Sequence, residues 1–343
     1  MTRTIVVPLD RTRFGEQAIP AAVSVAKKTG GCVHLVRVFE PLVVRPAFDV
    51  LPLYDPSWER DVRRAEEMEV ATLADVVRRR AGVEVRQAVI AGPVVDALLR
   101  YATDVGADLV VMCTHGRSGV GRLVLGSVAE AVVRRAPCPV MLVRPSEGAE
   151  DDLVDVPNFD AVPKFEHVLV PVDGTEFAKK VIARAVEIGV PFGARYTLLR
   201  VVSPSLPPGW PYAATDFPRD GVAERVRARR ELDGVAEGLR SQSIRATTEV
   251  ITDTDPARAI LEYAEWHGVD LIAMTTHGRR GLSRLALGSV AEAVARESKV
   301  PVLLYRPEPE EEARRQALSR PQASVASGSV KEKVVPAPSR LST

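Results

Sequence analysis

The sequence predicts an α/β protein made of two tandem doubly wound parallel sheets, each five-stranded with helices on both faces. Three observations carry this. Residues 108–144 (DLVVMCTHGRSGVGRLVLGSVAEAVVRRAPCPVMLVR) return as residues 270–306 at a constant offset of 162. A period of that size marks a duplicated domain and not a solenoid. Within each copy, short β-branched runs alternate with segments of helical periodicity, the pattern of parallel strands joined by crossover helices. The length of 343 residues, 46% of them hydrophobic, supplies either half with a full core.

Repeat 1 opens with a strand over residues 4–9, closed by Pro8-Leu9-Asp10. Residues 14–28 read as one helix, ended by Gly30-Gly31. Residues 33–39 are the second strand, and 40–56, with four prolines, a long surface loop. A charged helix spans 58–80 with apolar positions at Val62, Ala65, Val70, Leu73 and Val77. The third strand is 83–90, Gly92-Pro93 turns into a helix over 94–105, and 109–112 is the fourth strand. A Gly- and Arg-rich loop over 114–125 leads to a helix in which Ser127 is the N-cap and Glu130, three residues on, completes a capping box. Pro137-Cys138-Pro139 stops that helix, and 140–143 is the fifth strand.

Repeat 2 runs in the same order. Its strands are predicted at 166–172, 195–202, 244–251, 270–274 and 302–305, with helices at 177–190, 220–242 and 256–267 and from Gly288-Ser289 onward. The organisation is therefore repeat 1 over residues 1–146, an acidic linker over 147–164, repeat 2 over 165–307, and a tail over 308–343 that lacks the apolar residues to offset ordering.

Several function classes are disfavoured. A formal net charge of +1 gives no global field for nucleic acid or a membrane surface. Cys32, Cys113 and Cys138 are odd in number and scattered, as expected in a reducing compartment. No apolar run approaches the length of a membrane span, and MTRTIVVPLD is too short an apolar run for a signal peptide, so the cytoplasm is the expected location. Walker A is absent, and Gly119-Val120-Gly121 begins a dinucleotide fingerprint without completing it. Cys32 and His34 are too few for a metal site, and His115 and His277 have no triad spacing around them.

The glycine loop is the stretch with chemistry in it. A helix N-terminus offers unpaired N–H groups and partial positive charge to an anion, and glycines allow close backbone approach. Arg117 and Arg122, with Arg279, Arg280 and Arg284 in the second copy, add positive charge. A mobile glycine connection is the competing reading.

The loop resembles the nucleotide loop of the universal stress protein family, whose pattern is Gly, two residues, Gly, nine residues, then Gly-Ser or Gly-Thr. The second Gly falls on Gly116 and Gly278, and the closing pair on Gly126-Ser127 and Gly288-Ser289, with nine residues between in both copies. Cys113 and Thr275 stand where the first Gly would be. The resemblance implies strand order 3-2-1-4-5, so that strands 1 and 4 flank a ligand crevice at their carboxyl ends. It implies that Asp10 and Asp173, closing strand 1, meet the adenine end of ATP, against the alternative of an Asp capping the next helix. Backbone groups near Val38 and Val201 are implied as further contacts. Met112 and Met274, and Val128 and Val290, flank the loop at either end, with plain core packing as the alternative.

The expectation is thus a cytoplasmic stress-response protein that binds ATP, with Mg²⁺, or a related adenine nucleotide, and acts as a regulatory or interaction module. The alternatives are an interaction module independent of nucleotide and, less favoured, a slow ATPase. The apolar fifth strands, at a sheet edge in the implied order, are expected to pair antiparallel and make one chain a pseudo-dimer, with a further homodimer of whole chains as an open alternative. A neutral Gly92-Pro93 rim in repeat 1 against Asp253 and Asp255 in repeat 2 leans the expected affinity towards repeat 1, against which repeat 2 keeps Asp173-Gly174-Thr175 where repeat 1 has Arg11.

Overall fold

A β-branched, apolar run places β1 (Thr4–Leu9) in the interior of a sheet, with Ile5 and Val7 fully buried. The structure, a computed structural model, describes residues 3–40, 56–114, 125–145, 159, 162–204, 219–276 and 287–307. In the helices that begin at 56 and 219, side chains are described from 60 and 222 onward. The loops 41–55, 115–124, 205–218 and 277–286, most of the linker, and the tail expected over 308–343 lie outside the described residues.

The predicted helix over 14–28 is two helices, α1 (Arg13–Glu16) and α2 (Ile19–Thr29). Pro20 is the reason: it has no N–H to give, and its ring would meet the carbonyl of Glu16 in a continuous helix. Placed in the first turn of α2, it costs nothing. Gly30, at φ 67°, closes α2 as expected. There follow β2 (Cys32–Phe39), α3 (Pro56–Ala81), β3 (Glu84–Ala91), α4 (Val94–Asp104), β4 (Leu109–Cys113), α5 (Ser127–Arg135) and β5 (Val140–Val143). Repeat 2 supplies β6 (His167–Pro171), α6 (Glu176–Gly189) with a 3-10 turn at Val190–Phe192, β7 (Arg195–Val202), α7 (Arg219–Arg240), β8 (Arg245–Thr252), α8 (Pro256–Trp266), β9 (Leu271–Thr275), α9 (Ser289–Glu297) and β10 (Val302–Tyr305).

Each half has the implied order 3-2-1-4-5, all parallel. The two five-stranded sheets are not separate: they form one ten-stranded sheet, β3-β2-β1-β4-β5-β10-β9-β6-β7-β8. The join is the expected antiparallel pairing, in the register Val302↔Leu142, Leu303↔Met141 and Leu304↔Val140. Met141 and Leu303 point into one apolar layer with α2, α3, α6 and α7, and Val140, Leu142, Val302 and Leu304 into the other with α4, α5, α8 and α9. All six are at most 1% exposed, so the join is core and not a surface contact. Arg144 reaches across it and donates to the Glu297 carbonyl at the end of α9, at 3.2 Å. The linker also contributes, since Phe159 and Val162 pack on the first layer and the Ser24 hydroxyl donates to the Pro163 carbonyl. Among the described residues no helix is long and apolar enough to cross a membrane.

Candidate functional site

The turn after β1 is built twice in the same way. Asp10 Oδ1 accepts from the Thr12 N–H at 3.0 Å and from Thr12 Oγ1 at 2.6 Å, and Thr12 Oγ1 accepts from the Gly15 N–H at the start of α1. Asp173 Oδ1 accepts from Thr175 N–H at 2.9 Å and Oγ1 at 2.6 Å, and Thr175 caps α6 through the Ala178 N–H. The aspartate thus organises the capping threonine and is not itself the cap. The residue between them must take φ > 0. Gly174 does so at 86°, and Arg11 does so at 67° against the preference of a residue with a Cβ.

The crevice partner of this turn is the end of β4. Strands β1 and β4 pair at Ile5↔Leu109 and Val6↔Val110. Cys113, about a hundred residues from Asp10 in sequence, donates its thiol to the Phe14 carbonyl of α1 at 2.8 Å. The strand's alternation sends Cys113 into the first layer with Leu109 and Val111, whereas Met112 and Leu125 face the second, where α5 lies. Its side chain therefore leaves the loop side of the strand, and Thr275 follows by the same alternation from Leu271 and Ala273. Where the family pattern has its first glycine, Cys113 instead fills space between β4 and α1.

Both ends of each glycine loop are tied. The Gly126 N–H donates to the Thr114 carbonyl at 2.9 Å, and the Gly288 N–H to the Thr276 carbonyl at 2.7 Å. Here the structure corrects the expected capping. The N-caps are Gly126 and Gly288, with no side-chain cap bond, and Ser127 and Ser289 are the first helical residues. Glu130 pairs forward with Arg134 instead of reaching back. The glycines lie at φ −61° and −63°, which any residue adopts. Because Ser127 makes no cap, Ser127→Ala is expected to leave the melting temperature within ~1 °C, where a true cap would cost about 1 kcal/mol. A calorimetric scan checks it.

The remaining residues frame the same opening. The β1–β2 register ends at Leu9↔Arg37 and the β6–β7 register at Pro171↔Leu199, so Val38 and Val201 continue past the neighbouring strand. Met112 and Met274 are buried in the second layer, and Val128 and Val290 pack against it. They are core residues by packing. Gly116, Gly278, His115, His277 and the loop arginines fall outside the described residues. Asp253 and Asp255 are already engaged: Arg258 Nη2 donates to both Asp253 oxygens at 2.8 Å, and Asp255 caps α8. Hydrogen bonding to the Asp255 N–H and the Arg258 charge hold Asp253 below the usual carboxylate range. Paired in this way, its charge opposes phosphate less than the sequence suggests.

The thiol of Cys113 is an unreactive one. Burial, reinforced by the Asp10 charge, pushes it far above an ordinary thiol, while Cys32 is raised to about 11. In the folded protein Cys113 is expected to react with a disulfide reagent at least ~100-fold more slowly than after denaturation. A rapid, stoichiometric reaction assigned to Cys113 by mass mapping would contradict the packing.

Sequence reasoning missed a cluster behind the turn. Arg37, on β2, is 5% exposed and donates to Glu66 at 2.7 Å and Glu69 at 2.6 Å, both on α3. Arg11 pairs with the other Glu66 oxygen. Glu16 completes the set, its carboxyl raised by burial against the opposing pull of Arg37 and Arg13. The signal was an Arg third from the end of an apolar strand, present in both copies, CVHLVRVF and RYTLLRVV.

The fold defines a tandem doubly wound α/β protein with one topological switch point per repeat, between its first and fourth strands. The universal stress protein family model matches residues 1–144 and 164–306. The chain belongs to that family. A universal stress protein of Thermus aquaticus is 34% identical over 146 residues, covering 42% of this chain and all of that protein. One from Mycobacterium bovis is 31% identical over 205 residues, covering 58% of this chain and 62% of that protein. Among solved structures, a universal stress protein from Archaeoglobus fulgidus shares the fold at a TM-score of 0.62 and 19% identity, covering 90% of this chain and 97% of that one.

Proposed function

We propose that this protein is a stress-response module that binds ATP or a related adenine nucleotide in one crevice per repeat and acts by regulation or partner choice, with little or no turnover. Asp10 and Asp173 would meet the adenosine end, with backbone groups at Val38 and Val201. The phosphates would lie against Gly116 and Gly126-Ser127 in repeat 1, and Gly278 and Gly288-Ser289 in repeat 2. Mg²⁺ would enter with the phosphates. The observation that carries the reading is the pair of helix N-termini, α5 and α9, each headed by a bare glycine without a side-chain cap. Both stand beside the strand that faces the Asp turn, and uncapped N–H groups there suit phosphate. The direction of Cys113 is compatible with it, because its thiol packs into the first layer against the Phe14 carbonyl.

Calorimetric titration of the full chain with ATP and with AMP tests the reading. Saturable heat is expected, with unequal affinities for the two crevices. Absence of heat, together with no nucleotide released from freshly purified protein, would leave the nucleotide-independent interaction module in its place.

A further inference from the structure

The charge cluster behind the Asp turn is arranged differently in the two repeats, and repeat 2 has a cavity beside its buried arginine. The buried stripe of α3 is Glu66, Val70, Ala74 and Val77, and that of α7 is Ala228, Leu232, Ala236 and Leu239. The spacings are identical, so Ala228 occupies the place of Glu66. The C-terminal anchors agree, as Arg78 donates to the Val85 carbonyl and Arg240 to the Ala246 carbonyl. Arg200 on β7 corresponds to Arg37 on β2, Gly174 to Arg11, and Lys179 to Glu16, all at an offset of 163.

The consequences appear in the side chains. Repeat 1 sets Arg11 and Arg37 against Glu16, Glu66 and Glu69. Repeat 2 keeps Arg200, Lys179 and Glu231 around a cavity lined also by Gly174, Ile182 and Ala228. With Arg13 and its counterpart Glu176 included, three carboxylates against three cations become two against two, but among the described residues neither remaining carboxylate hydrogen-bonds Arg200. Arg200 is 6% exposed, yet among the described residues its guanidinium meets a single acceptor, the Val172 carbonyl, at 3.5 Å. Lys179 pairs outward with Glu176, and Glu231 with Arg227. A buried guanidinium without a carboxylate is costly. Gly174 lies so close that a Cβ there would fall 2.2 Å from Arg200 Nη1. Its lack of a side chain therefore keeps the guanidinium at the head of α6, whose N-terminal dipole adds to the positive potential.

The geometry points to a small-anion site in repeat 2, between α6 and α7, where a halide or small carboxylate takes the place that the Glu66 carboxylate holds in repeat 1. Arg200 is its principal ligand and Lys179 adds positive charge from the rim. The size follows from the exchange of Glu for Ala, which removes one methylene and one carboxylate. The site lies on the first-layer face of the sheet, away from the α9 N-terminus, and stands whether or not nucleotide binds.

Thermal melts of the full chain, at fixed ionic strength with sodium gluconate replaced by chloride, bromide or formate, test this. Wild type is expected to gain ~2–4 °C in the small anions. Ala228→Glu supplies the carboxylate covalently, so it should melt higher in gluconate and lose the anion dependence. Glu231→Gln removes the carboxylate that lines the cavity and should leave the dependence intact or enlarge it. A crystal grown in bromide should show an anomalous peak beside Arg200 in wild type and none in Ala228→Glu. Equal anion dependence in wild type and Ala228→Glu would overturn the site, as would no dependence and no bromide peak in wild type. So would a wild type indifferent to anions that becomes dependent on them only in Glu231→Gln, since Glu231 would then be the partner of Arg200.

Discussion

Glu66→Ala is expected to destabilise the protein by about 3 kcal/mol, the range for removing one partner of a buried ion pair. The Glu66 carboxylate is 6% exposed and is held by both Arg37 and Arg11. Its loss leaves Arg37 hydrogen-bonded to Glu69 only, a carboxylate that is 65% exposed and weakened by solvent, with Glu16 at longer range. The cost is mainly the desolvated Arg37 left behind, not the worth of the pair. The double variant Arg37→Met with Glu66→Met should therefore recover most of the loss. Urea unfolding reads both, as a fall in midpoint with an unchanged slope. A loss below ~1 kcal/mol for Glu66→Ala would mean that Glu69 suffices, and the cluster would then be a surface pair in effect.

The second large effect is on binding. Gly126→Val combined with Gly288→Val is expected to weaken ATP at least ~100-fold, equivalent to ~2.7 kcal/mol, with the circular dichroism unchanged. Both glycines sit at negative φ, so valine fits the backbone and the fold should tolerate it. What valine cannot do is leave the N–H groups of α5 and α9 bare to an approaching phosphate. Each single variant should abolish one site and leave the other, which assigns the two affinities to their repeats. Retained affinity in a folded double variant would place the phosphates elsewhere and remove the basis of the nucleotide reading.

Much of the fold was legible because strand and helix periods differ and the duplication repeats each signal. The strands at 4–9, 140–143, 195–202 and 302–305 stand where the sequence puts them. The apolar fifth strands even announced their pairing, since an uncovered edge of that composition is costly. Their register was not legible, because it depends on how two whole sheets meet. The helix broken before Pro20 was misread because Pro in a first turn and Pro in an interior look alike until the preceding turn is placed. Ser127 was misread for a related reason. S-x-x-E satisfies the capping-box pattern, but the bond between Gly126 and Thr114 advances the helix start by one residue. At the site, the Asp turn and the end of β4 beside it were legible through the family pattern, while residues 115–124 and 277–286 lie outside the described residues. The direction of Cys113 needed the strand's alternation relative to α5, and the Arg37 cluster needed α3 laid against β2.

The core-like join of β5 and β10 has a consequence for what each half is free to become. Two identical free subunits paired through that edge would part on dilution and would always present matching sites. Joined through one polypeptide, the halves meet at an effective concentration set by the chain and not by expression level. The pairing is also always unlike with unlike. A change tolerable in one half is never doubled by symmetry, so Arg11, Glu66 and Cys113 in one half can have Gly174, Ala228 and Thr275 as their counterparts in the other. A tandem chain of this kind is an obligate heterodimer with a fixed stoichiometry, able to hold two sites of different ligand preference side by side at any dilution.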